Sequence, residues 1–181
     1  MAKSHAQSVR AIVAHEPPLA RLHPNIRKWQ RFFAGVYYTA FRYGATLAML
    51  SFAFGLGLDH SFRQAIKAAK AMRRHREESG NHYLNRKVTT DFFLRQELLP
   101  VTNYLPDTET IKKNRVRVFM GAGKRSPHKK RFYAQTAEIL AKKLGCELVT
   151  FPGQHGSFID MPEAFAATLR SVLHKGQGVN Q

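Results

Sequence analysis

Short apolar runs, interrupted by prolines and glycines, occur near both ends of the chain. They cover residues 9–14, 115–120 and 147–151. The first run is followed by Pro17–Pro18 and the last by Pro152–Gly153. Apolar runs of this length, bounded by such residues, are typical of buried strands. The sequence therefore predicts three strands.

Helical periodicity follows the second and third predicted strands. From about His128 to Leu144 the apolar side chains fall on one side of a helix, and Gly145 lies where that helix should end. A last helix is predicted from about Met161, with Asp160 as its N-cap. The order strand–helix–strand–helix is typical of parallel crossover units, so we expect an α/β fold with about three parallel strands.

The stretch between the first and second predicted strands is helical in pattern from about residue 26 to residue 99. An insertion of this size between two strands of one sheet is typical of a lid or cap. We therefore divide the chain into residues 1–25 and 100–181, which build the sheet, and residues 26–99, which form a helical cap. Residues 100–114 are expected to be a polar connection. The cap is rich in aromatic side chains, namely Phe32, Phe33, Tyr37, Tyr38, Phe41, Phe52 and Phe54.

Residues 32–58 are almost continuously apolar and raise the alternative of a membrane-associated protein. Their uncharged part, residues 43–58, is shorter than the roughly 20 residues that a helix needs to span a bilayer. Arg42 would also lie inside the longer segment, at a cost of about 2.5–3.5 kcal/mol. Two helices joined near Gly44 explain the run more simply. Because residues 1–10 also lack an apolar run, we expect no secretory signal and a cytoplasmic protein.

Composition narrows the class of protein. The chain has 181 residues, of which 44% are hydrophobic, so it can bury a core and is not a polar disordered tail. Cys146 is the only cysteine, which excludes a disulfide-built scaffold and a four-cysteine metal site. The net charge of +17 indicates an anionic partner or surface, and residues 112–131 are rich in lysine and arginine without any carboxylate. Because no nucleic-acid-binding motif occurs, a noncatalytic basic module that binds polyanions is the alternative function.

Three segments lie just after the predicted strands, where open parallel sheets bind their ligands. They are residues 15–18, 121–126 and 152–158. His155 stands near small residues in the last segment, and an imidazole in such a loop can act as a general base because imidazoles titrate near neutral pH. The simpler interpretation is an exposed loop histidine, since the chain contains nine histidines.

Residues 151–156 (FPGQHG), followed by the helix that contains Phe165, resemble the C-terminal end of the α/β-hydrolase fold. In that family a strand delivers the catalytic histidine and a final helix closes the sheet. Residues 9–19 (VRAIVAHEPPL) are similar to the strand that leads into the family's cap, and residues 116–123 and 137–145 are similar to the next strand and helix. The resemblance covers nearly the whole chain and corresponds to the later half of the family's fold.

The resemblance implies a triad of serine, histidine and acid that hydrolyses an ester or amide bond in an apolar small molecule, with no cofactor and no metal. His155 matches the base of that triad. Residues 121–126 contain no carboxylate, so Glu16, which follows the first strand, is the candidate acid. A local hydrogen bond within the His-Glu-Pro-Pro turn is the alternative role of Glu16, and Asp160 is explained as a helix cap.

The family's G-x-S-x-G nucleophile motif does not occur in the sequence. Ser157 lies near His155 in the chain, but without the sharp strand-to-helix turn that exposes a nucleophile. The resemblance therefore implies a truncated hydrolase whose activity alone is weak or absent. It also implies an unpaired edge at the first strand, which a partner chain or self-association would cover.

Overall fold

The computed structural model describes residues 4–57, 86–126 and 130–175. The chain divides into two compact units: a sheet unit made of Met1–Pro18 and Leu105–Gln181, and a helical unit made of Leu19–Tyr104. Two sequence predictions lie outside the described residues, namely the helical pattern over residues 58–85 and the helix start at His128.

The sheet unit contains three parallel strands, as the sequence predicts. They are β1 (Ala11–His15), β2 (Arg117–Gly123) and β3 (Leu148–Phe151), paired in the order β1-β2-β3. His15 lies opposite Gly121, and Gly123 lies opposite Phe151, so the carboxyl ends of the strands meet at one edge. With its flanking helices, this parallel sheet confirms the α/β class.

β2 continues to Gly123, beyond the predicted end at Met120, because its last residues are small. A Cβ on Gly121 would stand 2.7 Å from Cε2 of Phe151. A Cβ on Gly123 would stand 2.7 Å from Cα of Gln154. Glycine at these two positions therefore lets the backbone of β2 lie close to β3 and to the loop that follows it.

The helical unit confirms the predicted helical pattern over the part that the structure describes. It contains α1 (Ile26–Tyr43), α2 (Ala45–Gly55), α3 (Arg86–Phe92), a π-helical turn (Phe93–Glu97) and α4 (Leu98–Thr102). α1 and α2 meet at Gly44, whose φ of 90° is readily adopted only by glycine. The break divides the long apolar run into two helices, as predicted from the sequence.

Aromatic and polar contacts join the helices of this unit. The ring of Phe52 packs edge-on against Phe93, with 5.7 Å between the centroids. Arg95 donates a hydrogen bond of 2.9 Å to the carbonyl oxygen of Ala40, and its guanidinium lies 4.4 Å from the centroid of the Phe41 ring. Among the described helices, none combines the length and the hydropathy of a membrane-crossing segment.

Helices also flank the sheet in the sheet unit. They are α5 (Thr108–Lys113), α6 (Phe132–Leu144), α7 (Ser157–Asp160) and α8 (Pro162–His174). α6 contacts β2 and β3, and it ends at Gly145, whose left-handed φ of 66° confirms the predicted stop. α8 contacts β3. The buried apolar residues of this unit include Met120, Ala122, Phe132, Tyr133, Ala137, Leu140, Phe151 and Val172.

Two local predictions are wrong. The predicted connection over residues 100–114 contains part of α4 and all of α5, because the carboxylate of Asp107 accepts a 3.1 Å hydrogen bond from the Thr110 N–H and thereby caps α5. Asp160 does not cap the last helix, because it ends α7 and α8 begins at Pro162. A proline suits a first helical turn because it needs no partner for an N–H.

Candidate functional site

The candidate site lies where the three strands of the sheet end. Glu16 follows β1 directly, Gly123 is the last residue of β2, and His155 lies in the loop between β3 and α7. Oε2 of Glu16 is 3.0 Å from Nδ1 of His155, although the two residues are 139 positions apart in the chain. The structure thus brings together the two residues that the sequence singles out as base and acid.

The Glu16 carboxylate is fully buried and is held at both oxygens. Its side chain has an exposed fraction of 0%, Oε1 accepts a 2.9 Å hydrogen bond from the Gly123 N–H, and Oε2 contacts His155. A buried carboxylate without such partners would be strongly destabilising. The arrangement therefore fixes the orientation of the carboxylate relative to the imidazole.

The backbone at Glu16 is strained in a way that aims its side chain at the site. Its φ of 47° lies in the left-handed region, which is uncommon for a residue with a side chain. The Glu16 N–H donates to the carbonyl oxygen of Gly121 at 2.9 Å, and Thr136 Oγ1 donates to the carbonyl oxygen of Pro17 at 2.6 Å. These two hydrogen bonds tie the turn after β1 to β2 and to α6.

The loop that carries His155 is held against the end of β2. The Lys124 N–H donates to the carbonyl oxygen of Phe151 at 2.8 Å, and the Arg125 N–H donates to that of Gly153 at 2.9 Å. The ring of Tyr133 lies 4.4 Å from the His155 ring, centroid to centroid, with 34° between the planes. The His155 side chain remains 36% exposed, so its imidazole is held on one side and accessible on the other.

His15 is a third ionisable residue of the site, and the sequence analysis gave it no role. Its ring stacks on that of His155 with 6.1 Å between centroids, and it packs edge-on against Phe151 and Phe165. Burial lowers the pKa of His15, the Glu16 carboxylate opposes that change, and His155 adds to it. A ligand atom of His15, one of Glu16 and one of His155 all lie within 4.8 Å of one another, a grouping that could hold a metal ion.

Two serine hydroxyl groups in the segments that follow β2 and β3 are not arranged as nucleophiles. The Oγ atoms of Ser126 and Ser157 are buried and have no hydrogen-bond partner among the described residues, so neither is hydrogen-bonded to His155. The third group of a triad is therefore not supplied by these two serines. The pair Glu16–His155 can bind and move a proton, but the attacking atom has to come from elsewhere.

Three groups that contribute to the site were not predicted from the sequence. The Gly123 N–H is a backbone group, and Tyr133 falls among the apolar positions of α6, so neither carries a signal of its own in the sequence. His15 does have a signal, because it precedes Glu16 at the end of a predicted strand. Comparison with models of protein families, with curated proteins and with solved structures finds no match for this chain.

Proposed function

We propose that the sheet unit carries the acid and the base of a hydrolase of the α/β-hydrolase type. His155 is the general base, and Glu16 is the carboxylate that orients it. The observation that carries this proposal is the 3.0 Å contact between Oε2 of Glu16 and Nδ1 of His155, with the other carboxylate oxygen held by a backbone N–H. The residues whose pattern resembles that family, 151–156 and 9–19, are those that build this contact.

The proposed chemistry follows from which ring nitrogen faces the carboxylate. A proton on Nδ1 of His155 is stabilised by Glu16, which leaves the lone pair of Nε2 free to remove a proton from a hydroxyl group. The attacking oxygen then forms a bond to the carbonyl carbon of an ester or amide. When that intermediate collapses, Nε2 returns the proton to the leaving group, so the imidazole ends as it began. Glu16 stabilises the imidazolium between these two steps.

The substrate class rests on the resemblance and on the aromatic content of the helical unit. Apolar side chains of α1 and α2 are exposed, including Tyr38, Phe41 and Phe54, and they support an apolar small molecule as substrate. Because Ser126 and Ser157 are not hydrogen-bonded to His155, we expect weak or no turnover of an activated ester by this chain alone. Any rate above that of buffer should disappear in His155→Ala.

The acid–base pair itself is tested by the tautomer of His155, measured from its ¹⁵N chemical shifts. We expect neutral His155 to carry its proton on Nδ1 in the wild type. In Glu16→Gln the amide oxygen can still accept from Gly123, which turns the amide NH₂ toward Nδ1 and moves the proton to Nε2. Glu147→Gln is the control, because Glu147 is half-exposed and contacts Lys175. The proposal is refuted if His155 carries its proton on Nε2 in the wild type, or if its tautomer is unchanged in Glu16→Gln.

A second function, the binding of polyanions, is favoured by a cavity at the opposite end of β2. The cavity has a volume of about 280 Å³, and Lys112, Arg115 and Arg117 line it. The Nη1 atom of Arg117 is buried and has no hydrogen-bond partner among the described residues. An anion would supply that partner. Retention on heparin should fall steeply as salt rises and should weaken in Arg117→Met; absent or salt-insensitive retention would contradict this function.

A further inference from the structure

We propose that His15, Glu16 and His155 together bind a divalent transition-metal ion such as Zn²⁺. The three side chains come from two neighbouring positions at the end of β1 and from the loop after β3. Their candidate ligand atoms all lie within 4.8 Å of one another. This site goes beyond the proposed hydrolase, because an ion held there would occupy the same carboxylate and imidazole that form the acid–base pair.

One distance between candidate ligand atoms is close to that around a bound ion, and the others have an upper bound of 4.8 Å. Zn²⁺ binds histidine nitrogens and carboxylate oxygens at about 2.0–2.2 Å, which in a tetrahedral site separates neighbouring ligand atoms by about 3.3 Å. The Glu16 Oε2 to His155 Nδ1 distance of 3.0 Å already approaches that separation. Because no pair of ligand atoms is more than 4.8 Å apart, the largest adjustment is about 1.5 Å.

The Nε2 atom of His15 is buried. It has no hydrogen-bond partner among the described residues, although a buried polar atom without a partner costs about 1–3 kcal/mol. The His15 ring is confined by the edges of Phe151 and Phe165, at centroid distances of 5.0 and 5.2 Å. A metal ion at this nitrogen would supply an interaction that the described residues do not.

The Gly123 N–H orients the Glu16 carboxylate, as hydrogen bonds to the coordinating side chains do in metal sites. The Gly123 N–H holds Oε1 of Glu16 and leaves Oε2 toward His155. Two imidazoles and one carboxylate select Zn²⁺ or its neighbours in the first transition series over Mg²⁺ or Ca²⁺, which prefer oxygen ligands. Three protein ligands leave a fourth position for water or another small ligand.

The test is a titration of the chelator-treated full chain with ZnCl₂, followed by calorimetry and by the NMR signals of the histidine rings. We expect one tight ion per chain, with the His15 and His155 signals changing together, and no such change with MgCl₂. His15→Phe should weaken this binding at least about 100-fold, since the loss of an outer hydrogen bond alone costs 10–100-fold. His174→Phe is the matched control, because His174 is exposed at the end of α8.

Two outcomes overturn the metal site: equal Zn²⁺ affinity in His15→Phe and the wild type, or wild-type binding that leaves the His15 and His155 signals unchanged. The second outcome needs no variant, so it decides the question even if His15→Phe does not fold. The hydrolase proposal is separable, because it requires the Nδ1–H tautomer of His155 in metal-free protein. If the protein does not bind Zn²⁺ but His155 keeps the Nδ1–H tautomer, only the metal site is refuted.

Discussion

Replacing Gly123 by alanine tests whether the close approach of β2 to the loop after β3 holds the candidate site together. The new Cβ would stand 2.7 Å from Cα and 2.8 Å from the carbonyl carbon of Gln154. Carbon atoms in ordinary contact are about 3.5–4.0 Å apart, so the two backbones must separate by about 1 Å. Because His155 is the next residue along this loop, the same movement lengthens its contact with Glu16.

The size of the effect follows from these contacts. Overpacking against backbone that cannot rotate away costs about 1–3 kcal/mol. The Gly123 N–H also donates to the buried Glu16 carboxylate, and a hydrogen bond to a charged group contributes about 1.5–3 kcal/mol when it is lost completely. A partial loss of that bond brings the expected fall in the free energy of unfolding to about 2–4 kcal/mol.

Urea denaturation measures this fall, and the NMR signal of the His155 Nδ1 proton reports the contact with Glu16. Gly35→Ala is the control, because Gly35 lies within α1 and its Cβ would meet nothing within 4 Å; there alanine should stabilise by about 0.5–1 kcal/mol. The reasoning is refuted if Gly123→Ala unfolds at the wild-type urea concentration and leaves the His155 proton signal unchanged.

Two further predictions concern groups buried around the site. Burial keeps the pKa of His15 below its ordinary value of 6.5, although Glu16 raises it, and His155 lowers it further by a smaller amount. The unfolded chain therefore binds the proton more readily than the folded chain does. The free energy of unfolding should fall as pH drops below 6.5 in metal-free protein. Thr136→Val removes the hydroxyl that donates to the Pro17 carbonyl oxygen at 2.6 Å, so we expect a loss of about 1–2 kcal/mol in urea denaturation.

Each of these predictions has a matched control. In His15→Phe the free energy of unfolding should fall less steeply below pH 6.5, whereas in His174→Phe it should fall as in the wild type. If the pH dependence is the same in His15→Phe and the wild type, the role of burial is contradicted. Thr168 makes an exposed hydrogen bond of 3.0 Å within its own helix, so Thr168→Val should cost far less than Thr136→Val. Equal costs at the two threonines would show that the bond to Pro17 does not stabilise the turn.

The sheet and the meeting of Glu16 with His155 could be inferred from the sequence for one physical reason. Parallel strands deliver their carboxyl ends to the same edge, so residues that follow β1 and β3 become neighbours whatever their separation in the chain. Their roles as acid and base remain predictions, because contact alone does not establish catalysis. The division of the apolar run into α1 and α2 could also be predicted from the sequence, since Gly44 interrupts the run where α1 ends.

Other features depend on contacts that a linear pattern does not contain. The hydrogen bond from Gly123 to Glu16 requires the register of β1 against β2, and the packing of Tyr133 against His155 requires the position of α6. The cap at Asp107 was missed because the helix it starts, α5, has only six residues. Asp160 was misassigned because a short helix, α7, occupies the place where a loop was expected.

The distances along the chain between Glu16 and its partners have a consequence for biosynthesis. The carboxylate needs Gly123, 107 residues later, and His155, 139 residues later. At a translation rate of about 5–20 residues per second, Glu16 leaves the ribosome on the order of ten seconds before its last partner is made. Until then the charge must stay hydrated, which keeps the newly made β1 segment from settling into an apolar environment too early.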